Sequence, residues 1–334
     1  MKSSCFRAYR KNRAELVVVL VGPTASGKTA LLDLLFGSQS ARSAYCLPEV
    51  EVVSADSMQA YRGMDIGTAK PDRALLSRLP HHLIDLRDPG EQYTVGDFVR
   101  LADAACDDIL GRNKRPIVSG GTGFYVRNFV CGLPTAPASD PAVRAAVAAD
   151  LAAKGLEALR AELAAVDSES AARIHANDRY RLTRALEIVR ATGRPMADFV
   201  PALGPRSGRF RFAIFGIELP REELYSRIDD RVDAMMAAGL ADEVASLRSS
   251  GARAEDPGMQ AIGYREFFER DADLVAVADA IKRDTRQYAK RQMTFFRKLP
   301  GIVWLKPDSA ALAAALRPLQ AGPTDRRQSR AGPS

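Results

Sequence analysis

Eight consecutive residues near the start of the chain constrain its fold more than any other stretch. The pattern G-x-x-x-x-G-K-[ST] stands between an apolar run at 16–21 and a helix-like stretch at 30–36, the context of a phosphate-binding loop (P-loop). Its members are Gly22, Pro23, Thr24, Ala25, Ser26, Gly27, Lys28 and Thr29. The glycines let backbone N–H groups wrap a diphosphate, while Lys28 adds positive charge and Thr29 offers magnesium a hydroxyl. The sequence therefore predicts an α/β fold with a P-loop NTPase-like parallel sheet core.

Composition and charge limit the class of protein. The 334 residues are 46% hydrophobic and 27% charged, a balance that is ordinary for globular proteins. No apolar run approaches the length of a membrane span, so we expect a soluble protein without membrane contact. The net charge of +7 favours an anionic partner such as nucleic acid.

Cysteine spacing and the chain ends bear on the cellular compartment. The four cysteines form no C-x-x-C pair, which predicts neither a zinc site nor a disulfide framework and fits a reducing cytoplasm.

Residues 1–14 are basic but lack the apolar core of a secretory signal, so we expect a flexible tail. Residues 311–334 include a Pro-, Gly-, Ser- and Arg-rich end, and we expect them to be disordered.

A carboxylate follows the second predicted strand. The chain passes from the P-loop helix through a polar linker at 37–48 to a strand at 50–54, and Asp56 lies just beyond it. Ligands of an open parallel sheet bind at the carboxyl ends of the strands, so Asp56 is expected to face the phosphate site. Alternatively, its carboxylate caps the next turn. Residues 57–71 are rich in Gly, Met and polar residues, which is typical of a functional loop.

A second glycine-rich turn follows the third predicted strand. Residues 116–119 have strand character, and the sequence GGTG follows directly at 120–123 before a helix-like stretch at 124–130. Both glycine turns end strands of the same parallel sheet. We therefore expect them to form one cleft.

The middle of the chain has a different character from the core. Residues 134–200 are helix formers without strand signals, and we interpret them as a helical insertion domain between core segments 15–133 and 201–310. Asp178 is placed to cap a helix at 179–191.

Cations mark the last third of the chain. The segment 221–249 has helical apolar spacing, with Arg227 and Arg231 sharing another face. Such arginines are usually solvated or paired with acids, and a ligand role is the alternative. A helix at 280–298 is dense in cations and is a candidate surface for a phosphate backbone. These cations are Lys282, Arg283, Arg286, Lys290, Arg291, Arg297 and Lys298.

Seven ordered blocks give the chain its resemblance to tRNA dimethylallyltransferases, the tRNA isopentenyltransferase or IPP transferase family. They are GPTASGKT at 22–29, SADSMQAYRGMDIGTAKP at 54–71, HHLIDLRDP at 81–89, GGTGFY at 120–125, RIHANDRYRLTRALE at 173–187, MQAIGYRE at 259–266 and TRQYAKRQMTFFRK at 285–298. The resemblance implies a P-loop core with a helical insertion, dimethylallyl diphosphate as donor, Mg²⁺, and a cytoplasmic enzyme that prenylates the adenosine beside the anticodon of tRNA. We expect it to act as a monomer.

The resemblance also assigns roles to residues by position. Asp56 matches the general base, Thr122 a residue that contacts the target nucleoside, and Arg231 a pyrophosphate ligand, while Thr29 would contact the metal. Positions matching tRNA contacts are Asp56, Ser57, Met58, Gln59, Thr122, Arg144, Tyr180, Arg181, Leu182, Thr183, Arg184, Gln260, Ala261, Ile262, Gly263, Tyr264 and Arg265. Because it belongs to the cationic helix, Arg286 is a further candidate for RNA binding.

Three other functions are compatible with parts of the pattern. An adenylate isopentenyltransferase would use the same donor on free AMP, ADP or ATP, but it would need neither the helical insertion nor the basic helix. A small-molecule P-loop kinase would transfer phosphate from ATP. A noncatalytic RNA-binding protein would leave Asp56, Thr122 and Arg231 without a shared purpose.

Overall fold

The computed structural model describes residues 14–137, 139–199, 204–206, 208–269 and 273–319. Residues 1–13 of the basic tail expected at 1–14, and the end of the chain from 320, lie outside these ranges. The chain divides into two compact units, a core unit of residues 1–130 and 205–334 and a helical unit of residues 131–204. Within the described ranges, no helix combines the length and apolar character needed to cross a bilayer.

Six parallel strands form the sheet of the core unit, in the order β3-β2-β4-β1-β5-β6. They are β1 (Glu15–Val21), β2 (Val50–Ser54), β3 (His81–His82), β4 (Arg115–Gly120), β5 (Phe210–Ile217) and β6 (Ile302–Leu305). Central strand β1 is a nearly continuous run of buried aliphatic residues, as expected for a parallel strand covered on both faces. Val21 of β1 pairs with Gly120 of β4, so the two predicted glycine turns begin at the same level.

Helices connect the strands of the core unit. They are α1 (Lys28–Phe36), α2 (Gln39–Ala44), α3 (Arg73–Arg78), α4 (Val95–Gly111), α5 (Gly123–Cys131), α9 (Arg221–Ala237), α10 (Leu240–Ser249), α11 (Glu266–Glu269), α12 (Leu274–Phe296) and α13 (Ser309–Leu316), with a 3-10 turn at Arg317–Leu319. The order of strands, helices and P-loop confirms the predicted α/β fold class.

The helical unit has its own apolar core. Its helices are α6 (Pro141–Val166), α7 (Ser168–Arg173) and α8 (Arg179–Thr192), followed by a 3-10 turn at Met196–Phe199. Leu159, Leu163, Leu182 and Leu186 are among the side chains buried together. Asp178 accepts a hydrogen bond from the Arg181 backbone N–H, which is the predicted cap. The predicted insertion at 134–200 lies within this unit.

The structure contradicts two expectations about local structure and divides a third segment, expected to be helical, into two helices. The linker at 37–48 contains helix α2, which begins where the Ser38 side chain accepts the Ala41 backbone N–H at 3.1 Å. The segment at 221–249 is two helices, because Gly239 adopts a positive φ of 94° between them. The first residues of the expected tail at 311–334 belong to α13, whose Leu312 and Leu316 pack into the sheet core.

Candidate active site

A cavity of about 660 Å³ in the core unit is lined from the carboxyl ends of the sheet strands. The P-loop from Thr24 to Thr29 contributes to its wall, and so do Asp56 and the Gly120 and Gly121 backbone. Arg231 of α9 contributes as well. Asp56 therefore faces the phosphate-binding loop, as its position after β2 predicted. The two glycine turns border one cleft, also as expected.

The P-loop has the geometry needed to hold an anion. Gly27 precedes helix α1 with a φ of 84°, in the left-handed region that favours glycine. The Lys28 Nζ donates to the carbonyl oxygens of Gly22 and Pro23 at 2.8 Å each. A helix N-terminus and an ammonium group thus converge on one site, which suits a diphosphate.

The electrostatics of Lys28 also favour an anion. The pKa of Lys28 is lowered from 10.5 to about 7, mainly by burial and also by the positive charge of Arg231, while Asp56 partly opposes both. Burial likewise lowers the pKa of Arg231, with Asp56 again acting in the opposite direction. Lys28 and Arg231 repel each other, and burial disfavours the charge of each. A polyanion bound between them would offset both the repulsion and the cost of burying the charges.

The two arginines that share a face of α9 differ in their partners. Arg227 donates to Glu223 at 2.7 Å, the intrahelical pairing expected of a surface arginine. Arg231 has no acidic partner within salt-bridge distance among the described residues. Both line the cavity. Arg231 is therefore the better placed to contact a ligand.

Asp56 both caps a turn and presents a carboxylate oxygen to the cavity. Its Oδ1 accepts the backbone N–H groups of Met58 at 2.9 Å and Gln59 at 3.4 Å. No described residue donates a hydrogen bond to its Oδ2. The turn fixes the carboxylate, and the second oxygen stays available as a proton acceptor.

Thr122 lies beside this turn but not on the cavity wall itself. Its backbone N–H donates to the Ala55 carbonyl at 3.1 Å, and its Oγ1 accepts the Ser57 backbone N–H at 3.0 Å. The threonine thus joins the second glycine turn to the turn that carries Asp56. Its predicted contact with a nucleoside stays a prediction.

The remaining predicted site residues of the core unit fall into two groups. Ser57, Met58, Gln59, Gln260, Ala261, Ile262 and Arg265 line the cavity. Tyr264 is instead buried, and its hydroxyl donates to Glu243 at 2.6 Å. Gly263 lies in sequence between cavity-lining Ile262 and buried Tyr264, and its φ of 97° is in the region that favours glycine.

Glu243 of α10 secures the loop at 57–71, a role that the sequence did not suggest. Its carboxylate accepts the backbone N–H groups of Asp65 and Ile66 at 2.9 and 2.8 Å, and of Gly67 at 3.2 Å. A Cβ on Gly67 would lie 2.5 Å from the Tyr264 ring, so only glycine fits there.

The predicted tRNA-contacting residues of the helical unit differ in exposure. Tyr180 is 79% exposed, and Arg144 and Arg181 are also at the surface. Arg184 pairs with Glu187 at 3.0 Å. Thr183 is partly exposed, and its hydroxyl donates to the Tyr180 carbonyl. Leu182 belongs to the buried core of the unit, so its side chain is occupied by packing.

Ion pairs divide the cations of helix α12. Acidic partners lie at 2.5 to 2.8 Å from four of them: Lys282 with Asp233, Arg283 with Asp284, Arg286 with Asp229, and Arg297 with Glu218. Lys290, Arg291 and Lys298 have no acidic partner among the described residues and border an open groove. The predicted phosphate-backbone surface is therefore narrower than the sequence suggested.

A buried glutamine on α12 connects two parts of the cavity wall. Gln292 is 4% exposed, and its side chain hydrogen bonds to both glycine turns. Tyr288, one turn earlier, lines the cavity, and burial together with Asp56 raises its pKa to about 12. The sequence offered one indication of this role, since Gln292 is a polar residue on the apolar face of the helix. The many cations of the same helix predicted RNA binding instead.

The donor set at the P-loop fits a magnesium ion carried by a phosphate ligand. Thr29 is exposed on the cavity wall. No cluster of three His, Cys, Asp or Glu side chains occurs in the part of the chain that the structure describes. Mg²⁺ usually retains water and binds through few protein oxygens plus substrate phosphates. One hydroxyl beside the diphosphate cradle is consistent with that mode.

Comparisons with known proteins identify the family of the chain. The family model described as IPP transferase matches residues 59–299. The chain is 44% identical over 300 residues to tRNA dimethylallyltransferase 1 of Trichlorobacter lovleyi, covering 88% of this chain and 95% of the relative. It is 41% identical over 293 residues to tRNA dimethylallyltransferase of Geobacter sulfurreducens, covering 87% and 91% respectively.

Solved structures give the same result. The tRNA isopentenylpyrophosphate transferase of Bacillus halodurans superposes with a TM-score of 0.65 at 35% identity, over 95% of this chain and 99% of that one. A eukaryotic dimethylallyltransferase acting on tRNA gives a TM-score of 0.76 at 26% identity, over 95% and 80%. With a P-loop facing Asp56 across one cavity and a family model that covers most of the sequence, this chain belongs to the IPP transferase family.

Proposed function

We propose that this protein transfers the dimethylallyl group from dimethylallyl diphosphate to tRNA and releases pyrophosphate. The acceptor is the exocyclic amine of the adenosine on the 3′ side of the anticodon. One observation carries the proposal: a diphosphate cradle, two desolvated cations and a carboxylate share one cavity. The names of the relatives support the same reaction.

The cradle acts on the leaving group. Backbone N–H groups of the P-loop, Lys28 and Arg231 hold the diphosphate and stabilise the negative charge that grows as its bond to the allylic carbon breaks. Thr29 would hold a magnesium ion, which when bound adds further charge stabilisation to the diphosphate oxygens. The allylic carbon becomes electrophilic as the charge moves onto the diphosphate.

Asp56 acts on the acceptor. The exocyclic amine of adenine is a weak nucleophile because its lone pair is delocalised into the ring. As the carbon–nitrogen bond forms and the carbon–oxygen bond breaks, one amine proton passes to the free Asp56 Oδ2. General-base help of this kind is typically worth about 10² to 10⁴ in rate. The turn at residues 57–59 holds the carboxylate in place.

Access to the cavity requires the target base to leave its stack. A base inside the anticodon loop must be flipped out, and its neighbours can then be read by the protein. The segments at 56–59 and 260–265, most of whose residues line the cavity, are candidates for contacts with the flipped base and its flanking nucleotides. The enzyme would work as a monomer in the cytoplasm, where its tRNA substrate is found.

Transfer of a labelled prenyl group tests the proposal. The purified protein is incubated with labelled dimethylallyl diphosphate and one of three acceptors: bulk tRNA, a transcript with guanosine in place of the target adenosine, or AMP. We expect label in bulk tRNA alone. Label in AMP would establish an adenylate isopentenyltransferase, and phosphate transfer from ATP without prenyl transfer would establish a kinase. Binding of tRNA without any transfer would indicate a noncatalytic RNA-binding protein.

The RNA-binding cations are tested through the salt dependence of tRNA affinity. Replacing Arg181, Arg184 and Arg286 by glutamine should weaken binding and reduce the salt slope by about one for each phosphate that is no longer neutralised. Arg286 is partly buried and pairs with Asp229 at 2.5 Å, whereas Arg181 is exposed and its pair with Asp178 is longer, at 3.3 Å, so we expect Arg286 to contribute less than Arg181. Arg173→Gln, at another cation of the helical unit, is the control. Unchanged slopes would mean that these cations only face solvent.

A further inference from the structure

Gln292 is the one described side chain that hydrogen bonds to both glycine turns. Its Oε1 accepts the Thr24 backbone N–H at 2.9 Å, and its Nε2 donates to the Gly121 carbonyl at 2.8 Å. The amide orientation follows from its partners, since Thr24 N–H can only donate and the Gly121 carbonyl can only accept. No other neutral side chain of this length offers both a hydrogen-bond donor and a hydrogen-bond acceptor.

The contacts continue from Gly121 to the carboxylate. Thr122 donates its backbone N–H to Ala55 and accepts the Ser57 N–H, and these two residues flank Asp56 in sequence. A continuous hydrogen-bonded path therefore runs from the diphosphate cradle through Gln292 and the second glycine turn to the turn holding Asp56.

Close packing fixes the glutamine against the second turn. A Cβ on Gly121 would lie 2.4 Å from the Gln292 Nε2, and one on Gly123 would lie 2.6 Å from the Phe295 Cδ1. Glycine at these two positions is what lets helix α12 approach. With 4% exposure, the Gln292 amide also has no room to exchange its partners for water.

We propose that Gln292 is a positioning residue that sets the distance between the diphosphate cradle and the Asp56 turn. The inference rests on the proposed transfer reaction. In that reaction the diphosphate leaves the allylic carbon at one end, while Asp56 takes a proton from the attacking amine at the other. Gln292 also lines the cavity, but its amide oxygen and nitrogen are occupied by the two glycine turns, so we expect substrate binding to depend on it less than alignment does. The two substrates depend on Gln292 for their alignment in the reaction. Misplacing a reacting group by about 1 Å can cost about 100-fold in rate.

Two variants separate alignment from binding. Gln292→Met keeps the length of the side chain and removes both hydrogen bonds. We expect its kcat to fall about 10- to 100-fold, while the KM values for both substrates and the Kd for inorganic pyrophosphate change less than about threefold. Gln39→Met makes the same substitution on the exposed surface of helix α2, away from the cavity and the groove, and this control should retain wild-type kcat.

The pH dependence of kcat for Gln292→Glu is a second measurement, and a purely structural role of the side chain would not change it. An ionised glutamate repels the Gly121 carbonyl, whereas a protonated one donates to it as the amide does, and burial raises the pKa of such a carboxyl. The ratio of kcat for Gln292→Glu to that for Gln292→Met should therefore rise as the pH falls from 9 to 6. If Gln292→Met fails to fold, the same profile measured against wild type carries the test.

Three results would overturn the inference. They are a Gln292→Met kcat within threefold of wild type, a loss of turnover fully matched by weaker pyrophosphate binding, and a ratio that does not change with pH. The wild-type assay separates this failure from that of the proposed function. If wild type does not prenylate tRNA, the proposed function fails and the inference falls with it; if wild type does, only the role of Gln292 fails.

Discussion

Glycine serves one physical purpose at Gly27 of the P-loop and a different one in the second glycine turn at 120–123. In the P-loop, Gly27 is required by its own backbone, which has a φ of 84°, and a Cβ there would meet its nearest neighbour at an ordinary 3.6 Å. In the second turn, none of the glycines has a positive φ, but added Cβ atoms would collide with neighbours at 2.2 to 2.6 Å. Gly27 thus shapes the backbone that would bind an anion, whereas the glycines of the second turn, like Gly22 of the P-loop, make room for close packing.

This comparison gives the two turns separate expected functions. Changes in the P-loop should weaken diphosphate affinity as well as slow turnover. Changes in the second turn and its partners should act on turnover at nearly constant affinity, because that turn positions Asp56. Four measurements, given in order of decreasing expected effect, test this division.

Asp56→Asn should give the largest loss of turnover. The change removes the proton acceptor but keeps the acceptor oxygen for the Met58 N–H, so the turn survives. We expect kcat to fall by about 10² to 10⁴, with tRNA affinity nearly unchanged. Pyrophosphate affinity should hold or improve, because a negative charge leaves the cavity. Single-turnover prenyl transfer measures the effect, and normal turnover would refute the role.

Lys28→Met should affect both affinity and rate. Removing one preorganised charge that stabilises the leaving group typically costs about 10² to 10³ in rate. Unlike Asp56→Asn, this variant should also bind inorganic pyrophosphate more weakly, which calorimetry measures. Arg78→Met, at a cation paired with Asp33 outside the cavity, is the control. Unchanged pyrophosphate affinity would contradict the assignment of the P-loop as the diphosphate cradle.

Alanine at one glycine of each turn should destabilise the protein in two different ways. Gly27→Ala costs roughly 1 to 2 kcal/mol of backbone strain. Gly123→Ala costs roughly 1 to 3 kcal/mol because its methyl group collides with Phe295. Adding Phe295→Ala should recover part of the stability of Gly123→Ala and none of that of Gly27→Ala. Denaturant unfolding of the double mutants decides this, and equal recovery in both would remove the distinction between the turns.

The pH dependence of pyrophosphate binding should give the smallest effect. The pKa of Lys28 in the free protein is about 7, so the side chain is mostly neutral at pH 8. A bound polyanion favours the charged form, so binding takes up a proton and weakens as the pH rises above 7. Lys28→Met lacks this step, and the protonation of pyrophosphate itself is common to both proteins. Calorimetry in two buffers of different ionisation enthalpy should show proton uptake in wild type that exceeds that of the variant.

Much of this architecture was predictable because local sequence encodes it. The buried strand, glycine turn and helix around Lys28 follow from periodicity and motif, and Asp178 was recognisable as a cap. The break at Gly239 was missed because an isolated glycine in a helical pattern gives no firm boundary. The packing of α13 was missed because it depends on the sheet beneath it.

The groups available for chemistry were therefore readable from the sequence: a P-loop, a carboxylate after a parallel strand, and arginines on one helical face. How these groups are used depends on the fold. It paired Arg227 and Arg286 with acids, left Arg231 facing the cavity, and placed Gln292 between two turns 171 and 268 residues away along the chain. The reason is physical: residue type and local periodicity fix what a segment can form, whereas hydrogen-bond partners and desolvation depend on which distant segments meet.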